Sequence, residues 1–217
     1  MRKVFTSIAI MLTCITASSQ VLLDYETIEG IVKNERQYFD DIVNIYKNDD
    51  PMIRVDDIAL IYYGQAFTDK YNPGNDENEK RLKQLHDEGN HAEAYNTAKA
   101  ILEYNPVSLN ALFNLLVASK ALGKSHEEFE SYAKKYQGIL GMITQYGNGR
   151  SSDSPFKVIT PDDQNYVLFH ELEIQREISR ELDPETLCNI IVVEPTDKYQ
   201  ARRVYFDLSL FLKHVKK

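Results

Sequence analysis

Five histidines, His86, His91, His126, His170 and His214, are the first residues to test for metal chemistry, and their spacing matches no zinc site. His170-Glu171 opens as a zinc-protease helix motif would, but Ile174 stands where the second histidine belongs. Cys188 sits in the apolar run 187–193, the setting of a buried, inert thiol rather than of a nucleophile. A serine-nucleophile elbow, a Walker loop and a dinucleotide-binding glycine fingerprint are all missing. Gly147-Asn148-Gly149 reads as a helix-ending turn. The acidic run Asp76, Glu77 and Glu79 lacks the alternation of a calcium loop and reads as a solvated helix start. The sequence therefore predicts no metal, no cofactor and no catalytic residue.

What remains is contact chemistry. The chain has 14 tyrosines and 9 phenylalanines but no tryptophan. Tyr62 and Tyr63 are adjacent and cannot share one helix face. The leading expectation is a core tyrosine with its hydroxyl bonded; the other is that one of the two packs while its neighbour reaches a surface or groove, where tyrosine makes a good contact. A second set, Asn110, Asn114 and Lys120, depends on the helices that carry it.

Residues 26–48 place Ile28, Ile31, Val32, Phe39, Ile42, Val43 and Tyr46 on one helical face, and Asp49-Asp50-Pro51 ends the pattern. A second helix is predicted over 55–67, followed by the turn Asn72-Pro73-Gly74-Asn75. Gly89 and Gly123 then lie 34 residues apart, the period of tetratricopeptide repeats. Ala94 and Pro106 fall where that repeat places its small inter-helix residue and its closing proline. Each has a physical reason: glycine permits the tight turn, alanine a close approach of axes, and proline a stop. In the second unit Ser108 is a good N-cap, and Leu112, Leu115, Leu116 and Ala118 make a helix apolar enough to be covered on both sides. Ser125 and Glu128 read as a capping box for the helix after it.

In such an array the first helix of each pair lines a concave groove. Aligned on the repeat, Asn110, Phe113, Asn114, Val117 and Lys120 face that groove. Asn110, Asn114 and Lys120 are then a polar strip for a partner, with Asn114 placed to bond a peptide backbone. The competing expectation is that the C-terminal sheet or a neighbouring helix fills the groove.

After Gly149 the character of the chain changes. Ser151-Ser152-Asp153-Ser154-Pro155 is loop, 156–160 reads as a short strand, and Asp162 or Asp163 caps a helix. Residues 187–193 read as a buried strand, 175–182 as a weaker one, and 199–213 as a half-buried strand alternating through Val204, Phe206, Leu208, Leu210 and Leu212. The expected fold is α+β: an N-terminal helical array with tetratricopeptide-like helix pairs, followed by a small antiparallel β-sheet unit.

The 217 residues carry 25 basic and 33 acidic side chains, a net charge of −8, which excludes a strongly basic nucleic-acid binder. Apolar residues make up 43%, which excludes wholesale disorder. Arg2 and Lys3 precede an apolar stretch that ends at Ala17-Ser18-Ser19, the layout of a secretory signal peptide cleaved before Gln20. That stretch is shorter than the ~20 residues a spanning helix needs. Lipid attachment at Cys14 is not expected, because Met11-Leu12-Thr13 makes a poor lipobox. The division that follows is signal peptide 1–19, helical region 20–147 and α+β region 148–217. The expected address is the periplasm or beyond, with no integral membrane segment after cleavage.

Tyr62-Tyr63-Gly64, Tyr146-Gly147-Asn148-Gly149, Phe156-Lys157-Val158-Ile159 and Val204-Tyr205-Phe206-Asp207, in this order and spacing, resemble an exported bacterial family catalogued as domain of unknown function 4919, common in gut-dwelling gram-negative bacteria. The resemblance covers about residues 24–213. The family's turn usually reads Ser-Gly-Asp-Gly, and Tyr146 and Asn148 here remove the side chains that metal binding or catalysis at the turn would use. The resemblance implies the architecture and the envelope address, and no activity. Helical repeats without catalytic motifs point to a non-enzymatic module that binds a protein or peptide partner. The alternative is a periplasmic hydrolase with its site between the array and the C-terminal unit, near 147–153.

Overall fold

The computed structural model describes residues 24–215, so the expected leader, its cleavage before Gln20 and the question of Cys14 lie outside the described residues. Asp24 accepts a hydrogen bond from the Glu26 N–H and starts α1 (Tyr25–Asn34); α2 (Arg36–Lys47) follows after a single residue, Glu35. The one helix expected over 26–48 is thus two. The break lets Val32 and Phe39 meet at Gly64 of α3 (Val55–Gln65), where an added Cβ would lie 2.7 Å from the Phe39 ring and 3.1 Å from Val32. α3 is the central helix: every residue from Asp57 to Gln65 is buried, so it has no solvent face to keep polar.

The repeat forms two helical hairpins, α4 (Glu77–Asp87) with α5 (His91–Tyr104) and α6 (Leu109–Ala121) with α7 (His126–Gln145). Gly89 and Gly123 close the turns at φ of +66° and +63°, the left-handed conformation glycine adopts without strain. Ser108 and Ser125 cap α6 and α7 by accepting from the Ala111 and Glu128 N–H groups. Ala94 and Ala98 are buried with Leu82, Leu85, Ala111, Leu115 and Ala118 in a core of their own, so the pairs are tetratricopeptide-like. Glu128 does not complete a capping box. Its carboxylate instead accepts from the hydroxyls of Tyr95 and Tyr132.

The C-terminal sheet has the order β1-β4-β3-β2, formed by β1 (Phe156–Lys157), β2 (Glu177–Leu182), β3 (Cys188–Val193) and β4 (Arg203–Asp207). β2, β3 and β4 pair antiparallel, but β1 runs parallel to β4 with Phe156 opposite Phe206. The sheet is therefore mixed rather than wholly antiparallel, since the long stretch between β1 and β4 leaves room for a parallel return. α8 (Asp163–Tyr166) runs on into a π-turn, Val167–Glu171.

The strand expected through 213 stops at Asp207. The Asp207 carboxylate accepts from the Ser209 N–H at 2.7 Å and starts α9 (Ser209–Val215). Leu208, Phe211 and Leu212 are spaced to serve a helix as readily as a strand. The larger core runs without interruption from Tyr62, Ile139 and Met142 to Val158, Val167, Ile191, Val204 and Phe206, so array and sheet share it.

Candidate functional site

Tyrosines from the array hold the segment that leads from β1 to α8. The Tyr63 hydroxyl donates to the Lys157 carbonyl at 3.1 Å, and the Tyr71 hydroxyl donates to the Ile159 carbonyl. The Tyr62 hydroxyl accepts from the Ile159 N–H at 3.3 Å and donates to Asp163 Oδ2 at 2.8 Å. Both Tyr62 and Tyr63 are fully buried with their hydroxyls bonded, which bears out the core reading and corrects the expectation that one of the two reaches a surface. Because α3 is enclosed on all sides, adjacent positions can both face core.

Between this segment and the start of α4 and α6 lies a cleft of about 290 Å³, walled by the array on one side and by residues 159–163 and Phe211 on the other. Asp76 caps α4 through the Asn78 and Glu79 N–H groups and also accepts from the Tyr104 hydroxyl at 2.8 Å. Glu79 is directed inward, accepting from Ser108 Oγ and Asn110 Nδ2, both at 2.7 Å. Burial raises its carboxyl above the usual range. Burial also pushes the Asp163 carboxyl up to about 7, against the opposing effect of the Tyr62 hydroxyl. The acidic run therefore does more than begin a solvated helix: Asp76 caps α4 while Glu79 enters the cleft.

Of the expected strip, the cleft holds only Asn110. Asn110 Oδ1 accepts from the Tyr166 hydroxyl at 3.1 Å and from Asn114 Nδ2 at 2.9 Å. Asn114 is buried and its Oδ1 meets His86 Nδ1 at 2.9 Å. Lys120 is exposed at the far end of α6. The three residues thus do not form one surface. The groove over Phe113 is occupied by the rings of Tyr166 and His170, with centroids 5.8 and 5.1 Å away, so a neighbouring helix fills it.

The turn 147–153 lies outside the lining of the cleft. A Cβ on Gly147 would fall 2.0 Å from the Pro155 carbonyl oxygen, and one on Gly149 2.3 Å from the Phe156 ring. The Gly149 carbonyl accepts from the Tyr199 hydroxyl at 2.7 Å and the Tyr205 N–H at 2.9 Å, so the turn clasps the sheet to α7. Among the described residues no group of three or more His, Cys, Asp or Glu side chains is placed to hold a metal. Cys188 is buried and its thiol is raised by burial.

Glu79, expected only in a solvated helix start, and Asp163, expected only as one of two candidate caps, were not expected in a site. Nothing local marks them, since Glu79 resembles any first-turn glutamate and Asp163 shares its dipeptide with the exposed, lysine-paired Asp162. The fold and the cleft together define an α+β protein in which a tetratricopeptide-like array and the segment 159–163 with Phe211 wall a ligand-sized space. The chain belongs to the family described as domain of unknown function (DUF4919), which it matches over residues 26–217. No curated protein and no solved structure shows a significant match to it.

Proposed function

We propose that this is an exported, non-enzymatic envelope protein that binds a peptide segment of a partner in the cleft between its array and its C-terminal unit. The supporting observation is the cleft itself. It joins apolar surface from Tyr71, Val107 and Ile159 to converging polar groups, the composition of a ligand pocket. Export rests on the N-terminal leader pattern, and among the described residues no helix is long and apolar enough to cross a membrane. One observation favours the hydrolase as second reading. Two carboxyls with raised pKa line one cleft, an arrangement that recurs in acid–base catalysis.

The test is to incubate the purified mature chain with a short-peptide library, following its melting temperature and the mass of every peptide. Binding predicts that some peptides raise the melting temperature and are recovered intact. Cleaved peptides, with cleavage lost in Asp163→Asn, would establish the hydrolase instead. A library with no stabilising member would overturn the binding reading.

A further inference from the structure

The proposal of a peptide-binding cleft leaves open which side chains it takes, and the charge arrangement of its walls bears on that. The lining carries four carboxylates, Asp76, Glu79, Asp162 and Asp163, and three lysines, Lys70, Lys80 and Lys83. Two of the lysines have acidic partners: Lys83 pairs with Asp162, and Lys80 pairs with Glu77 at 2.9 Å. Lys70 is exposed at the rim. Among the described residues no ion pair involves Asp76, Glu79 or Asp163.

These three carboxyls accept from neutral donors: Glu79 from Ser108 and Asn110, Asp163 from Tyr62, and Asp76 from backbone N–H groups and Tyr104. A carboxylate has about four acceptor positions, so each keeps some unused. Lys83 partly offsets the charge of Glu79 but is itself bonded to Asp162, and a cation brought beside buried carboxyls offsets the cost of ionising them. The apolar part of the lining comes from both sides, Tyr71 and Val107 from the array and Ile159 and Phe211 from the C-terminal unit. A charged head on a long alkyl stem matches both kinds of lining, because such a stem lies along apolar surface while its head seeks polar groups. The volume of about 290 Å³ is at the small end for ligand pockets, suited to one side chain with adjoining backbone.

We propose that the cleft, resting on the binding reading above, captures a Lys or Arg side chain of a peptide, its stem against Tyr71, Val107 and Ile159 and its cationic head among Asp76, Glu79 and Asp163. Asp76 and Glu79 project from one helix, α4, and Asp163 comes from α8, so the cation bridges the array and the C-terminal unit.

The test uses the full mature chain and capped tripeptides acetyl-Ala-X-Ala-amide, with X as Lys, Arg, norleucine, Gln or Glu, read by calorimetry and by amide shifts of the cleft residues. The Lys or Arg peptide is expected to bind at least tenfold more tightly than the norleucine and Gln peptides, with shifts at Val107 and Ile159. Glu79→Gln should lose about tenfold in affinity for it. Asp76→Asn, which keeps a good N-cap, should lose affinity with an unchanged melting temperature, and it decides the matter if Glu79→Gln fails to fold. Norleucine or Glu peptides binding in the cleft as tightly as Lys and Arg would refute the cation while leaving the cleft a peptide site. No shift at the cleft with any of the five would refute the cleft as well.

Discussion

Asp163→Asn should change how stability depends on pH, because Asp163 is nearly inaccessible and its carboxyl is held near 7 by burial. An unfolded aspartate titrates near 3.8, so between that value and about 7 the folded protein binds a proton that the unfolded chain has released. The stability contribution of this group is therefore fully present at acid pH, falls as pH rises through this window, and levels off above it. The whole displacement corresponds to about 4 kcal/mol, and the portion between pH 5 and 8.5 to about 3 kcal/mol. Asparagine keeps a carbonyl to accept from the Tyr62 hydroxyl and carries no titrating proton. Glu79 shifts in the same direction, but it is present in both proteins and drops out of their difference. Urea unfolding followed by circular dichroism at pH 5, 6, 7 and 8.5 measures that difference directly. The variant should gain about 3 kcal/mol on the wild type across the series. Parallel stability curves would show that Asp163 ionises normally and that the packing around it is looser than described.

Three further outcomes follow from the same packing. Ala94→Leu overfills the contact between α4 and α5, where Ala94 is 2% exposed, and should cost about 1–3 kcal/mol by urea unfolding. Asn114→Ala removes partners from Asn110 and His86 in a buried network and should cost about 1–3 kcal/mol, whereas exposed Lys120→Ala should stay within about 0.5 kcal/mol. Intact-mass analysis of the exported protein should find a chain beginning at Gln20; retention of Met1 or a lipid on Cys14 would overturn cleavage before Gln20.

The parts of the fold that were legible in the sequence are those governed by neighbours in the chain. Gly89, Gly123, Ser108 and Ser125 act on the turn or cap they belong to, so the repeat could be read without knowledge of the rest. The buried run 188–193 and the alternation through Leu208 were legible for the same reason. Where two periods fit one apolar run, as after Asp207, only the Asp207 carboxylate, which accepts from the Ser209 N–H, decides between helix and strand. The division of 26–48 follows from the demands of α3 at Gly64, which neither α1 nor α2 reveals alone. The cleft was hidden for a stronger reason. Glu79 and Asp163 acquire their character from burial, and that burial exists only once the β1–α8 segment docks on the tyrosines of α3. The repeat alignment placed Asn110 and Asn114 on the inner face of α6, but it carried no information about Tyr166 and His170, which cover that face.

Amide chemical-shift mapping of the mature chain, titrated with whichever peptide of the library raises its melting temperature most, tests the central claim most directly. Binding in the cleft predicts shifts on both walls at once, at Tyr104 and Val107 of the array and at Ile159 and Phe211 of the C-terminal unit. Shifts confined to α2, to the edge strand β2, or to Lys120 and its neighbours on α6 would place the contact surface elsewhere and contradict it.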